Sequence, residues 1–149
     1  MSISGLLFPE RKFTMFYVFL AEGFEETEAL APVDVMRRAK LDVKTGECVT
    51  SSHGVPVKAD ITIDNIDLDD VQGVVLPGGM PGTLNLEANE KVLEAVKYSC
   101  ENGKIVAAIC AAPSILGHLG ILDGKKATCF PGFEKELKGA DYTGTHTVT

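Results

Sequence analysis

Three short runs in this chain, FYVFL at 16–20, VVL at 74–76 and IVAA at 105–108, are apolar at every position. They lack the polar alternation of a strand that faces water on one side. Strands of this kind belong in a sheet covered on both faces, usually a parallel sheet whose crossovers are helices. The stretches between them supply such helices. AEGFEETEALAPVDVMRRA, at 21–39, opens acidic and carries Leu30, Val33 and Met36 at helical spacing. It closes on Arg37 and Arg38, a charge order that suits the helix dipole. Pro32 has no N–H to give, which predicts a bend or a late start there. NEKVLEAVKYSCENG, at 89–103, is amphipathic, with Asn89 as its cap and Gly103 as its stop. AAPSILGHLG, at 111–120, places Pro113 in the first turn of a helix. LDVKTGECV at 41–49 and KKATCF at 125–130 predict two more strands, and VKADITID at 57–64 a short strand or excursion. The acidic IDNIDLDDVQG at 63–73 reads as a solvated connection. The fold class expected is α/β, a doubly wound three-layer domain.

A chain of 149 residues is one domain, long enough to bury a core. Its net charge of −7 and pI near 4.9 argue against nucleic acid and against anionic membrane surfaces as partners. The four cysteines, at 48, 100, 110 and 129, form no CxxC pair, so they read as reduced thiols of a cytoplasmic protein. Arg11 and Lys12 precede an apolar run, which resembles the start of a signal peptide. That run is short and no small-x-small site follows it; a first strand at 16–20 explains it better. Residues 1–14 are then an N-terminal extension, and the domain is expected over 15–149. Nothing else in the chain is long and apolar enough to span a bilayer.

In a doubly wound sheet, chemistry belongs outside the carboxyl ends of the strands. Three motifs fall there: AEGFEETE after the first strand, PGGMPG after 74–76, and ICAAP after 105–108. Cys110 stands at a strand-to-helix turn, the topology of a nucleophile elbow, although alanines replace the usual glycines. Helix N-terminal amides favour thiolate, so its pKa is expected below that of a free cysteine. The glycines of PGG can turn their backbone N–H groups to the same point and form an oxyanion site. Among Glu22, Glu25, Glu26 and Glu28, one carboxyl could reach the thiol and hold or move a proton. The plainer reading of the same residues is a packed cysteine and a solvated helix start. His53, His118 and His146 have no metal-ligand spacing, so no metal is expected and they read as structural or surface residues. Cys129 follows a predicted strand and is a candidate second redox-active thiol.

AEGFEETEALAPVDVMRRA, VVLPGGMPG and AAICAAPSILG…KKATCFPGFE together resemble the ThiJ/PfpI superfamily, in its DJ-one (protein deglycase) branch. All three motifs occur in order, from about Met15 to the C-terminus. The resemblance implies a flavodoxin-like sandwich with a mainly parallel central sheet, and a homodimer in the full-length form. It places the family's reactive cysteine at Cys110 and the glutamate that hydrogen-bonds its sulfur at Glu28. Gly79 becomes the oxyanion-side glycine, completed by the amide of Ala111. It implies glyoxalase, deglycase and chaperone activities without a cofactor, and a cysteine that oxidises readily to sulfinate.

Three departures follow. Ala111 stands where the protease-like branch has histidine, which argues against a Cys-His peptidase. Phe130 stands where some members of the DJ-one branch have histidine. The chain also ends at GTHTVT, where relatives continue through a further strand and a closing helix; without them, sheet surface is expected to be uncovered. The sequence thus leads to a cysteine-dependent enzyme acting on small reactive aldehydes. The alternative is a redox sensor or stress chaperone whose Cys110 is oxidised without turnover. A glutaminase on the same fold would want G-x-C-x-G around the cysteine, and alanines stand in place of both glycines.

Overall fold

The computed structural model describes residues 15–45 and 49–149, and the side chains of 42–45 are outside that description. Residues 1–14 and Cys48 also lie outside it. The elements run β1 (Met15–Val18), α1 (Glu26–Arg38), β2 (Asp42–Thr45), β3 (Val49–Thr50), β4 (Pro56–Val57), β5 (Val71–Leu76), α2 (Gly82–Glu87), α3 (Glu90–Glu101), β6 (Ile105–Ala108), α4 (Pro113–His118), β7 (Lys126–Ala127) and β8 (Asp141–Tyr142). The central sheet has the order β2-β1-β5-β6, and every pairing in it is parallel. The chain steps outward from β1 to β2, then returns to β5 on the other side of β1. That reversal opens a crevice at the carboxyl ends of β1 and β5.

The first strand and the residues after it feed two cores by simple alternation. Met15, Tyr17 and Phe19 pack on one face with Leu76, Val92, Val96 and Ile115, so α3 and α4 cover that side. Val18 and Leu20 pack on the other with Phe24, Ala29 and Val33, under α1. This is the three-layer α/β arrangement. The register of β5 against β1 slips between Met15 and Phe16, whose partners are Val71 and Gly73. Gln72 is the extra residue, and so Val71 joins the same core as Val74 and Leu76 despite its spacing. A side chain at Gly73 would meet the Phe16 ring at 2.8 Å, so the glycine makes room for that ring. The Tyr17 phenol, buried among apolar groups, donates to Asp70 Oδ1 at 2.7 Å.

Several elements differ from expectation. Helix α1 runs through Pro32 without a late start; the proline only deprives the Glu28 carbonyl of its i+4 donor. Its buried stripe is Ala29 and Val33 with Met36 behind them, and Leu30 is half exposed. The acidic connection forms two single-turn 3-10 helices, Ile63–Asn65 and Leu68–Asp70. The strand expected at 125–130 shortens to β7, and α2, which follows PGGMPG, carries no strong signal of its own. Strand β6 is an edge among the described residues and its residues alternate in exposure; Ile105 in it is 52% exposed, and Ile109 just after it 47%.

Candidate active site

Strands β1, β5 and β6 end side by side, and the turns that follow them meet. After β1, the Gly23 N–H donates to Thr50 O at 2.9 Å and the Glu25 N–H to Gly78 O at 3.0 Å. The loop GFE is thus tied to the loop PGG. Glu25 caps α1, its Oε2 accepting the Glu28 N–H at 2.7 Å. That cap turns α1 so that Glu28, one turn in, faces PGG. Gly78 N–H then donates to Glu28 Oε2 at 2.9 Å.

Gly79 has φ +90, a left-handed conformation, and a side chain on it would meet Glu25 N at 2.4 Å and Gly23 O at 2.7 Å. Its carbonyl accepts from the Thr83 amide at 2.9 Å and the Thr83 hydroxyl at 3.0 Å. Those two bonds fix the Gly79–Met80 peptide, while the Gly79 N–H, in the preceding peptide, bears on Cys110.

Cys110 has φ 61, one of two described non-glycine residues with positive φ. For a residue with a Cβ this is a strained position. The strain is held by bonds on either side: Ile109 N–H donates to Leu76 O at 3.2 Å and Phe130 N–H donates to Cys110 O at 2.8 Å. Around the sulfur stand the Glu28 carboxyl and the amides of Ala111 and Gly79. The four residues singled out in the sequence therefore converge on one atom. Gly78 is a fifth, which the sequence reading left within PGG without a role of its own. A Cβ at that position would meet Cys110 Cβ at 2.7 Å and Glu28 Oε2 at 2.8 Å. Only glycine lets acid and thiol approach there.

The electrostatics depart from expectation. Burial pushes the Cys110 thiol above its ordinary pKa, and the Glu28 carboxylate adds to that, while the Ala111 and Gly79 amides pull it down. Helix α4 begins only at Pro113, after the turn of Cys110–Ala112, and burial with the Glu28 charge outweighs the amides at the sulfur. Burial likewise raises Cys129, the residue before Phe130, which packs against the main core.

The other candidates stand apart. His53 Nδ1 pairs with Glu26 Oε1 at 3.0 Å, and with Glu25 these side chains form a potential ligand cluster. The cap and the ion pair account for it. His118 bridges Glu87 and Glu136, which hold it above its ordinary pKa. Arg37 pairs with Asp60 and Arg38 with Asp34, both at 2.8 Å. A groove of about 430 Å³ beside α3 is lined by Leu68, Leu93, Tyr98 and charged residues, and none of the residues around Cys110 lines it.

The sequence profile described as the DJ-1/PfpI family matches residues 15–149. The chain belongs to the DJ-1/PfpI family. Protein DJ-1 homolog B of Arabidopsis thaliana is 36% identical over 124 residues, which are 79% of this chain but 28% of that protein. The chain thus spans under a third of that relative's length. Deglycase PfpI of Pyrococcus furiosus is 34% identical over 125 residues, 80% of this chain and 74% of the relative. The crystal structure of Drosophila melanogaster DJ-1beta superposes with a TM-score of 0.85 at 32% identity, covering 91% of this chain and 76% of that one. The flavodoxin-like fold of the DJ-1/PfpI family is therefore this chain's fold, and relatives in it bear the names DJ-1 and deglycase. No described helix is long and apolar enough to cross a membrane.

Proposed function

We propose that this chain is a cysteine-dependent, cofactor-free enzyme of the glyoxalase and deglycase type. It acts on 2-oxoaldehydes such as methylglyoxal, or on their adducts with proteins. The observation that carries this reading is the convergence of Glu28 and two backbone amides on the sulfur of Cys110, at the carboxyl end of a parallel sheet. The deglycase name borne by relatives supports it.

In this mechanism the Cys110 thiol gives its proton to the Glu28 carboxylate as the sulfur adds to the aldehyde carbon, forming a C–S bond and an alkoxide that the Gly79 and Ala111 amides receive. Glu28 returns that proton to the alkoxide, giving a hemithioacetal. The Glu28 carboxylate takes the proton from that carbon, leaving an enediolate, and returns it to the neighbouring carbon. The product is a thioester of the 2-hydroxy acid. Water hydrolyses it, releasing the acid and freeing the thiol. Net, one aldehyde and one water give one hydroxy acid. The bond from Gly78 N–H holds one oxygen of Glu28, so the carboxyl stays aimed while it accepts and returns the proton.

Lactate formation from methylglyoxal by the wild-type chain, against Cys110→Ser, tests the reading. Lactate from the wild type and none above the uncatalysed rate from the variant is the expected result. Equal rates, or no lactate from either, would overturn it.

A further inference from the structure

The machinery around Cys110 binds the aldehyde end of a substrate and says nothing of the other end. What flanks the thiol does. Phe130 N–H is bonded to the Cys110 carbonyl at 2.8 Å, so residue 130 starts beside the nucleophile. Phe130 is 55% exposed. On the other side, Met80 directly follows Gly79, whose amide bears on the sulfur, and Met80 is 47% exposed. Met80 is one residue from an amide that bears on the sulfur, Phe130 is bonded to the backbone of the residue that carries it, and each is a large apolar side chain left in water. Neither is needed for the core, since neither belongs to a buried cluster. A methyl substituent would leave both of them wet, and a charged or polyhydroxylated one would gain nothing from them.

We propose that Phe130 and Met80 are specificity-determining residues that select 2-oxoaldehydes with a bulky apolar substituent, arylglyoxals above methylglyoxal. This rests on the reaction proposed above for the same site. Removing water from a ring face and a thioether favours a large apolar group, and a ring on Phe130 adds an offset-stacked or edge-to-face contact. Differences of this kind in an apolar subsite are worth about tenfold or more in kcat/KM. Because Phe130 carries no titratable group, the discrimination is independent of pH beyond that of the chemistry itself.

The test is the ratio of kcat/KM for phenylglyoxal to that for methylglyoxal, in the wild type, Phe130→Ala and Met80→Ala. Taking the ratio within each protein cancels any loss of folded material and compares the two aldehydes on one site. The wild-type ratio is expected to fall by about fivefold or more in Phe130→Ala, and by a smaller factor in Met80→Ala, mainly through KM. A ratio unchanged in both variants would overturn the assignment.

A second readout stands apart from turnover. Phenacyl chloride and chloroacetone both alkylate a thiolate: the S–C bond forms, the C–Cl bond breaks and chloride leaves with the electron pair. Their rate ratio at Cys110, divided by the same ratio for free glutathione, should exceed one in the wild type and fall towards one in Phe130→Ala. A normalised ratio of one in the wild type would overturn the specificity assignment even if both aldehydes are turned over. If neither aldehyde is turned over but the normalised ratio stands and drops on substitution, the reaction class is wrong and the apolar subsite is right.

Discussion

Gly78 is the residue on which the candidate site most depends, although it contributes no side chain. A methyl group there would meet both Cys110 Cβ and Glu28 Oε2 below 3.0 Å. We expect Gly78→Ala to lower turnover by about a hundredfold or more, since small misplacements of reacting groups have effects of that size. A cooperative melt alongside kinetics would separate this from unfolding; wild-type turnover would show that the site relaxes freely. The thiol itself gives a second expectation. The negative charge of Glu28 favours neutral sulfur, so Glu28→Gln should move the iodoacetamide rate profile of Cys110 to lower pH, while abolishing proton shuttling. A profile shifted upward would mean that the carboxyl donates to the sulfur more than it repels it. Much of this site was legible in the sequence, because a strand ending in cysteine and a strand ending in PGG must meet at a parallel sheet's carboxyl edge. The position of Gly78 was not, since close approach of two side chains across a backbone leaves no trace in residue pattern. The direction of the Cys110 shift was missed for a related reason. Burial and a neighbouring charge are tertiary facts, whereas the helix dipole is suggested by local sequence.

Among the elements, α3 was the most legible. Asn89 accepts from the amides of Lys91 and Val92, and Gly103 ends the helix with φ +63. Asn89→Ala should cost about 1 kcal/mol in urea unfolding; no change would show that the cap is replaced by solvent. Helix α4 is held differently. Its last residue, His118, sits between Glu87 at the end of α2 and Glu136 in the turn that packs on Gly117. Glu136 first and Glu87 second raise its pKa, and Lys138 opposes them. A histidine whose folded pKa is raised contributes its stabilisation fully below its unfolded value of about 6.5. That contribution is lost as pH rises through the higher folded value. The melting-temperature gap between wild type and His118→Gln should therefore narrow as pH is raised through that window. A gap that widens with pH would mean that His118 is neutral in the fold. Sequence could not show this bridge, because its three members come from elements that only the tertiary fold brings together. Helix α1 was legible in place but not in detail: Pro32 predicts a bend or a late start, yet the helix begins at Glu26, with Ala29 and Val33 packed against the sheet.

For the whole molecule, the parallel three-layer class follows from the pattern of short apolar strands and helices, and the crevice lies where the observed sheet order reverses. Strand β6 is an edge of the central sheet among the described residues. Ile105 in it and Ile109 just after it are each about half exposed, an arrangement that favours association through the edge. Ile105→Lys should reduce concentration-dependent light scattering, with a change in stability within about 1 kcal/mol. A large loss of stability would show that this face is covered in solution. The claim that ties fold to function is that Cys110 forms the bond and Glu28 moves the proton. Proton NMR of methylglyoxal incubated with wild type, Cys110→Ser and Glu28→Gln tests it most directly. Wild type should yield lactate, and neither variant should exceed the uncatalysed rate, while Glu28→Gln should still protect Cys110 from iodoacetamide when methylglyoxal is present. Lactate from Glu28→Gln at the wild-type rate would contradict the assignment of the proton transfer to that carboxyl.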